Sequence, residues 1–262
     1  MQLELIHESP KGTPKPTPLL FVHGKWHGAW CWQEHFLPYF AAQGYDCYAL
    51  SLRGHAGSAG HERLRWTSIA DYVADVSQVA GSLEKPPVVI GHSMGGFITQ
   101  KYLEKYPAPA AVLLTAVPPF GLWQSTWLVF RRHPLVFLKA LFTMHLYPIV
   151  GTPELAKEAL FSAEMPDEKV MAYHQRLGDE SFRTYLDELG LNLVRTKRIK
   201  TPLLIIGAEN DNIITPNMVK ATARRYGTTA EIFPDMAHDV MLEPGWEKVA
   251  AGILEWLAGN GL

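Results

Sequence analysis

"VVIGHSMGGF", residues 88–97, sets a serine between glycines at the end of an apolar run. A serine hydroxyl is a weak nucleophile until its surroundings activate it. Gly91, Ser93 and Gly95 make a G-x-S-x-G pattern. Average glycine and serine usage would produce it by chance in a chain this long roughly one time in ten. The flanks therefore carry the reading. "PPVVI" before the serine is short, β-branched and bounded by proline, as a buried strand is. "MGGFITQKYLEKY" after it has a helical pattern. So sharp a strand-to-helix turn strains the serine backbone and admits only small neighbours, which accounts for Gly91, Gly95 and Gly96. It also lifts Ser93 to the carboxyl end of a sheet, where open α/β folds place their sites. There the hydroxyl is aimed at a helix start, whose free N–H groups favour negative charge. The competing reading is a serine that merely caps that helix.

The rest of the chain repeats the alternation. Residues 18–24, 45–52, 86–93, 110–117, 201–209 and 230–234 read as short apolar strands flanked by Pro or Gly, and "LELIHES" adds an edge strand. Helical patterns lie between them, such as 94–106 and 244–258. In the last of these, Trp246, Val249, Ala250, Ile253, Leu254 and Leu257 recur at the helical period. Near-continuous apolar strands alternating with helices predict a mostly parallel sheet covered by helices on both faces. The alternation stops after Val117. Residues 120–199 hold only short helical pieces separated by Pro134, Pro148, Pro153, Pro166, Gly178 and Gly190. The expectation is a core of residues 1–119 and 200–262, with 120–199 as a helical cap insert over the site.

Composition narrows the function. A chain of 262 residues, 47% hydrophobic, suits one large α/β domain or a domain with an insert. A formal net charge of −2 without a long Lys or Arg run argues against a nucleic-acid partner. Cys31 and Cys47 have neither metal nor redox spacing, and are expected as buried free thiols in a reducing compartment. "MQLELIHESPKG" has acids where a signal peptide needs an apolar core, and no apolar run reaches the ~18 residues of a membrane span. A soluble, cytoplasmic protein without stable membrane insertion is expected. Nothing in the sequence specifies an oligomeric state.

A nucleophilic serine needs a base, and the base an orienting acid. Most of the eleven histidines have a plain explanation. His23 lies in a strand-end turn, His92 is a filler in the elbow, and His133, His145 and His174 belong to the helical block. His23 and His27 have zinc-like spacing, but Gly24 stands where a zinc protease has its glutamate, so no metal site is expected. His238, in "PDMAHDVMLEPGW" between the last strand and the last helix, returns to the carboxyl end of the sheet and is the expected base. "LLIIGAENDNIITP" offers the acid: Asp211, with Glu209 as its rival. No Asp or Glu occurs from Lys105 through Pro153, which closes the previous strand end as a source. Asp235 and Asp239 are too near His238 in sequence to turn toward it easily.

The order Ser93, Asp211, His238, together with the elbow, resembles the α/β-hydrolase superfamily over essentially the whole chain. The matching stretches are "LLFVHGKWHGAWCW", "ALSLRGHAGS", "VVIGHSMGGF", "LLIIGAEND" and "MAHDVMLEPGW". The elbow supplies one oxyanion donor, the backbone N–H of Met94. The resemblance implies a second, the N–H of Lys25 in the turn that Gly24 lets bend. "HGKWHGAWCW" looks like plant methyl-ester esterases and hydroxynitrile lyases. The lyases usually carry threonine at the position of Gly24 and lysine at that of Asp239, and both departures count against that reading. Epoxide hydrolases and haloalkane dehalogenases have an aspartate at the elbow, where this chain has Ser93. Ser51 replaces a common aspartate, with no evident catalytic meaning.

The resemblance implies a serine hydrolase acting on small-molecule carboxylic esters through an acyl-enzyme, with no metal or cofactor required. Carbon–carbon bond hydrolysis, peracid formation, a lyase, or a ligand receptor on the same fold remain alternatives. "FGLWQSTWLVFRRHPLVFLKALFTMHLYPIV", residues 120–150, is dense in large apolar side chains. It reads either as helices packed on the sheet or as a cap whose inner face forms an acyl pocket. A membrane-surface helix is a third reading. The expected pocket residues are Trp26, Trp123, Trp127, Phe130 and Phe142, for small to medium acyl chains.

Overall fold

The structure is a computed structural model that describes all 262 residues. Its strands are β1 (Leu5–Glu8), β2 (Leu19–Val22), β3 (Cys47–Leu50), β4 (Val88–His92), β5 (Ala111–Leu114), β6 (Leu203–Ala208) and β7 (Ala230–Phe233). They form one seven-stranded sheet in the order β1-β3-β2-β4-β5-β6-β7. β1 pairs antiparallel with β3, and every other pairing is parallel. Every expected strand is present, but each is shorter than the apolar run that announced it, β3 and β5 by half.

The helices follow in chain order. α1 (Trp30–Gln33) and α2 (Phe36–Ala42) join β2 to β3, α3 (Ile69–Ser82) joins β3 to β4, and α4 (Met94–Leu103) joins β4 to β5. Between β5 and β6 come α5 (Trp123–Arg132), α6 (Pro134–Thr143), α7 (Pro153–Leu160), α8 (Asp167–His174) and α9 (Phe182–Leu186), without a strand. α10 (Pro216–Tyr226) joins β6 to β7, and α11 (Trp246–Gly259) closes the fold.

Position in the sheet explains each strand's composition. All residues of β2, β4 and β5 are buried, because helices cover both faces of a central parallel strand. The edge strand β1 instead alternates between exposed and half-buried residues. α3 begins at a capping box in which Ser68 and Asp71 satisfy each other's amides, an arrangement typically worth ~1 kcal/mol. On α11, Val249, Ala250, Ile253 and Leu257 are buried on one stripe, while Trp246 stacks on His35 with ring centroids 4.7 Å apart. α4 is buried on all sides, which suits a helix held between the sheet and α3. Cys31 and Cys47 are both buried and unpaired.

The register positions the site. Val22 pairs with Gly91, so the chain leaves β2 and β4 side by side. From β2 the chain runs to one side of the sheet through β3, then crosses back to β4 on the other. The gap between β2 and β4 is therefore the switch point where open α/β sheets hold ligands.

Candidate active site

Ser93 stands at the tip of the strand-to-helix turn with φ 52° and ψ −117°, a conformation that a side chain rarely adopts. Two close approaches hold it there. A Cβ on Gly95 would lie 2.3 Å from the Val22 carbonyl oxygen, and one on Gly24 would lie 2.9 Å from Ser93 Cβ. The Ser93 amide donates to the Leu114 carbonyl at 2.9 Å, which ties the elbow to β5.

Ser93 Oγ lies 2.8 Å from His238 Nε2, and His238 Nδ1 lies 2.7 Å from Asp211 Oδ2. All three residues are buried. An ionised Asp211 only accepts, so Nδ1 carries a proton and Nε2 of the neutral imidazole is free to accept from the Ser93 hydroxyl. The other Asp211 oxygen accepts from the amides of Ile213 at 2.7 Å and Ile214 at 2.8 Å, which fixes the carboxylate's orientation. Glu209 turns elsewhere and accepts from the Asp235 amide at 3.3 Å. Burial alone would lower the His238 imidazole. The charge and hydrogen bond of Asp211, with a smaller pull from Asp239, outweigh it and hold His238 above its ordinary value.

The Lys25 amide finds no acceptor within the protein. Met94 is the first residue of α4, in the turn whose amides have no partner in the helix. The Lys25 side chain runs to Glu188, beyond α9, and forms a buried ion pair with it. Burial pushes the Glu188 carboxyl up to about 7 against the pull of Lys25. Trp26 follows with φ 66°, and its carbonyl accepts from Gly178 at 2.8 Å.

Several supporting residues escaped the sequence reading. His92 Nε2 donates to the His238 carbonyl at 3.1 Å, and Thr115 Oγ1 donates to the same oxygen at 2.9 Å. The elbow's filler histidine thus fastens the loop that carries His238. Burial, then the neighbouring His238, pushes His92 down to about 3, so it stays neutral at this task. His23 accepts from the Leu52 amide at Nε2 and donates from Nδ1 to the Gly24 carbonyl, bracing the turn before Lys25. Ser51 Oγ accepts from Ala29 at 2.9 Å and donates to Glu4 at 2.5 Å, a structural role. No local pattern announces these contacts, since each joins residues brought together by the sheet.

Asp239 is fully buried behind His238. It lies 3.0 Å from His27 Nε2 and 3.5 Å from His92 Nε2, and none of these atoms is aligned for a hydrogen bond between them. Burial would raise the Asp239 carboxyl, but the neighbouring imidazoles, His27 foremost, hold it below the usual carboxylate range. His92, His238 and Asp239 bring possible metal-ligand atoms within 4.8 Å of one another. Both His238 nitrogens, however, already face Asp211 and Ser93, and that geometry suits proton transfer better than an ion.

An apolar cavity of about 90 Å³ is walled partly by sequence neighbours of this site, although Ser93, Asp211 and His238 themselves do not line it. Lys25 and Trp26 from the turn after β2, and Asn212 and Ile213 next to Asp211, form part of its wall. Leu122, Val129, Phe137, Ala140, Leu146 and Phe182 from residues 120–199 form much of the remainder. Of the five expected pocket residues, Trp26 alone lines it. Trp123, Trp127 and Phe142 are 65%, 57% and 80% exposed and stand outside it, and Phe130 is half-buried off the wall. The correction has a geometric cause. Both faces of α5 are apolar, and the stripe turned inward is Leu122, Ser125, Thr126 and Val129, not the tryptophan stripe.

The pattern of the alpha/beta hydrolase family matches residues 19–251. The chain belongs to that family. A monoacylglycerol lipase of Mycolicibacterium smegmatis is 24% identical over 243 residues, covering 87% of this chain and 83% of that protein. Salicylic acid-binding protein 2 of Nicotiana tabacum is 31% identical over 115 residues, 42% of this chain and 43% of its own. The solved structure of a Paleococcus ferrophilus monoacylglycerol lipase superposes with a TM-score of 0.74 over 99% of this chain and 100% of the other, at 21% identity. That likeness speaks to the fold alone. The chain is thus a hydrolase-family protein whose relatives include esterase- and lipase-type enzymes. No helix is long and apolar enough to cross a membrane.

Proposed function

We propose that this protein is a serine esterase that cleaves carboxylic esters of small to medium acyl chain length through an acyl-enzyme. The hydrogen-bonded chain Ser93–His238–Asp211, next to an unpartnered Lys25 amide, carries the reading. Ser93 Oγ attacks the ester carbonyl while His238 Nε2 takes its proton. Asp211 holds the imidazole in its working tautomer and stabilises the charged form. The tetrahedral oxyanion accepts from the Lys25 and Met94 amides, each such donor typically contributing ~3 kcal/mol to the transition state. Collapse expels the alcohol, protonated by His238. The imidazole then takes a proton from water as the resulting hydroxide attacks the acyl-enzyme, and His238 returns that proton to Ser93 Oγ as the acid leaves. The mechanism draws on these residues without a metal or cofactor.

In this reading residues 1–119 and 200–262 form the core and 120–199 a cap, whose inner face with Trp26 supplies an acyl pocket. The apolar lining of the cavity supports that assignment. Two free, buried thiols suit a reducing compartment such as the cytoplasm. The test is turnover of p-nitrophenyl butyrate and covalent labelling by a fluorophosphonate. Wild type should do both, and Ser93→Ala should lose labelling and at least ~10³-fold in turnover, because triad members fail as a unit. Labelling that survives in Ser93→Ala would overturn the assignment.

A further inference from the structure

α5 and α6 are two-faced, and only one face of each is accounted for by the cavity. On α5 the inner stripe includes Ser125, Thr126 and Val129, and on α6 it includes Phe137, Ala140 and Leu141. The outer stripe of α5 carries Trp123, Trp127 and Arg131 at successive four-residue steps. That of α6 carries Leu135, Lys139 and Phe142. Trp123, Trp127, Leu135 and Phe142 are each more than half exposed, at 65%, 57%, 81% and 80%. A helix on the surface of a globular protein ordinarily turns charged and polar side chains outward. These two turn outward large apolar groups and cations.

Within this segment the formal charge has one sign, although Glu158 of α7 sits 2.9 Å from His133 at the α5–α6 junction. Arg131, Arg132 and Lys139 are the cations of residues 120–150, and no Asp or Glu occurs there, although the whole chain has a net charge of −2. Trp and basic side chains combined on a short amphipathic element are what an interfacial helix presents to anionic lipid. The same surface leads inward. Exposed Trp127 lies 5.7 Å from Phe130, ring to ring, and Phe130 lies 5.7 Å from Phe137 on the cavity wall. Leu141 is both exposed and part of that wall.

We propose that the outer face of α5 and α6 docks on an anionic lipid bilayer surface, peripherally. Trp123, Trp127, Leu135 and Phe142 enter the headgroup–acyl boundary, and Arg131 and Lys139 meet the anionic headgroups. Docking does not depend on catalysis by Ser93, so it is measured in Ser93→Ala, which leaves the vesicles intact. The protein should co-sediment with phosphatidylcholine vesicles containing about a third phosphatidylglycerol. Binding should weaken at least ~10-fold on pure phosphatidylcholine or at high salt. Trp123→Ser/Phe142→Ser and Arg131→Glu/Lys139→Glu, each with an unchanged thermal midpoint, should weaken it at least as much. Absence of vesicle binding, or binding that survives both pairs of substitutions, overturns the proposal. So does a concentration-dependent dimer that Trp123→Ser/Phe142→Ser dissociates, since the face would then be covered by a second copy.

Discussion

His238 Nδ1 lies 2.7 Å from Asp211 Oδ2, while Glu209, two residues earlier, is spent on the Asp235 amide. Asp211→Asn should therefore lower kcat by on the order of 10³- to 10⁴-fold, through loss of the charge that sets the tautomer. Glu209→Gln should stay within about 10-fold, because a single long hydrogen bond to an exposed amide is a modest contribution. The reverse ranking in ester turnover would move the role to Glu209.

The pH profile follows from the same pair. Only neutral His238 can take the Ser93 proton, so kcat/KM should fall as pH drops through the imidazole's pKa. Burial pulls that pKa down, but the Asp211 charge prevails, so the midpoint should lie above the ordinary 6.5. Removing the charge in Asp211→Asn should shift the acid limb to lower pH in whatever activity remains. An acid limb at or below the ordinary value in wild type would mean that Asp211 does not govern His238.

Substrate length should follow the cavity wall. Each methylene of an acyl chain buried there contributes up to ~0.8 kcal/mol, or about fourfold in kcat/KM. From acetyl to hexanoyl p-nitrophenyl esters, rates should rise by ~10- to 100-fold, with an optimum near four to eight carbons. Ala140 is buried on that wall. Ala140→Leu should lower hexanoyl turnover at least ~10-fold while acetyl turnover changes by less than ~3-fold. A parallel loss on both esters would detach the cavity from acyl binding.

Lys25 and Glu188 predict a pH-dependent stability. Lys25→Met leaves the Glu188 carboxyl buried and removes the one pull that lowers its pKa, already at about 7. An acid whose pKa is raised in the folded state stabilises that state while protonated. Its contribution is complete below the ordinary 4.5 and lost as pH rises through the folded value. The penalty of Lys25→Met should therefore be smallest at pH 5 and grow by up to ~1.4 kcal/mol at pH 8, or roughly 3–6 °C in thermal midpoint. Equal midpoint losses at both pH values would show that the pair is not the source.

The elbow was legible in the sequence because it is local. A strand, a serine among glycines and a helix follow one another within "VVIGHSMGGF", and each needs only its neighbours to declare itself. The parallel sheet was legible because strands buried on both faces read as continuous apolar runs, as β2, β4 and β5 do. Periodicity could not say which stripe of α5 would turn inward, because Trp123 and Trp127 are as apolar as Val129. The packing of residues 120–199 against the turn after β2 decided that, and sent the tryptophans outward. The sequence named Asp211 with Glu209 as its rival, and tertiary structure turned Asp211 rather than Glu209 to His238, ran Lys25 to Glu188, and turned His92 and Thr115 onto the His238 carbonyl. Each of these contacts joins residues on separate strands or loops. Their distances are set by how the sheet aligns strand ends, which no local stretch of sequence encodes.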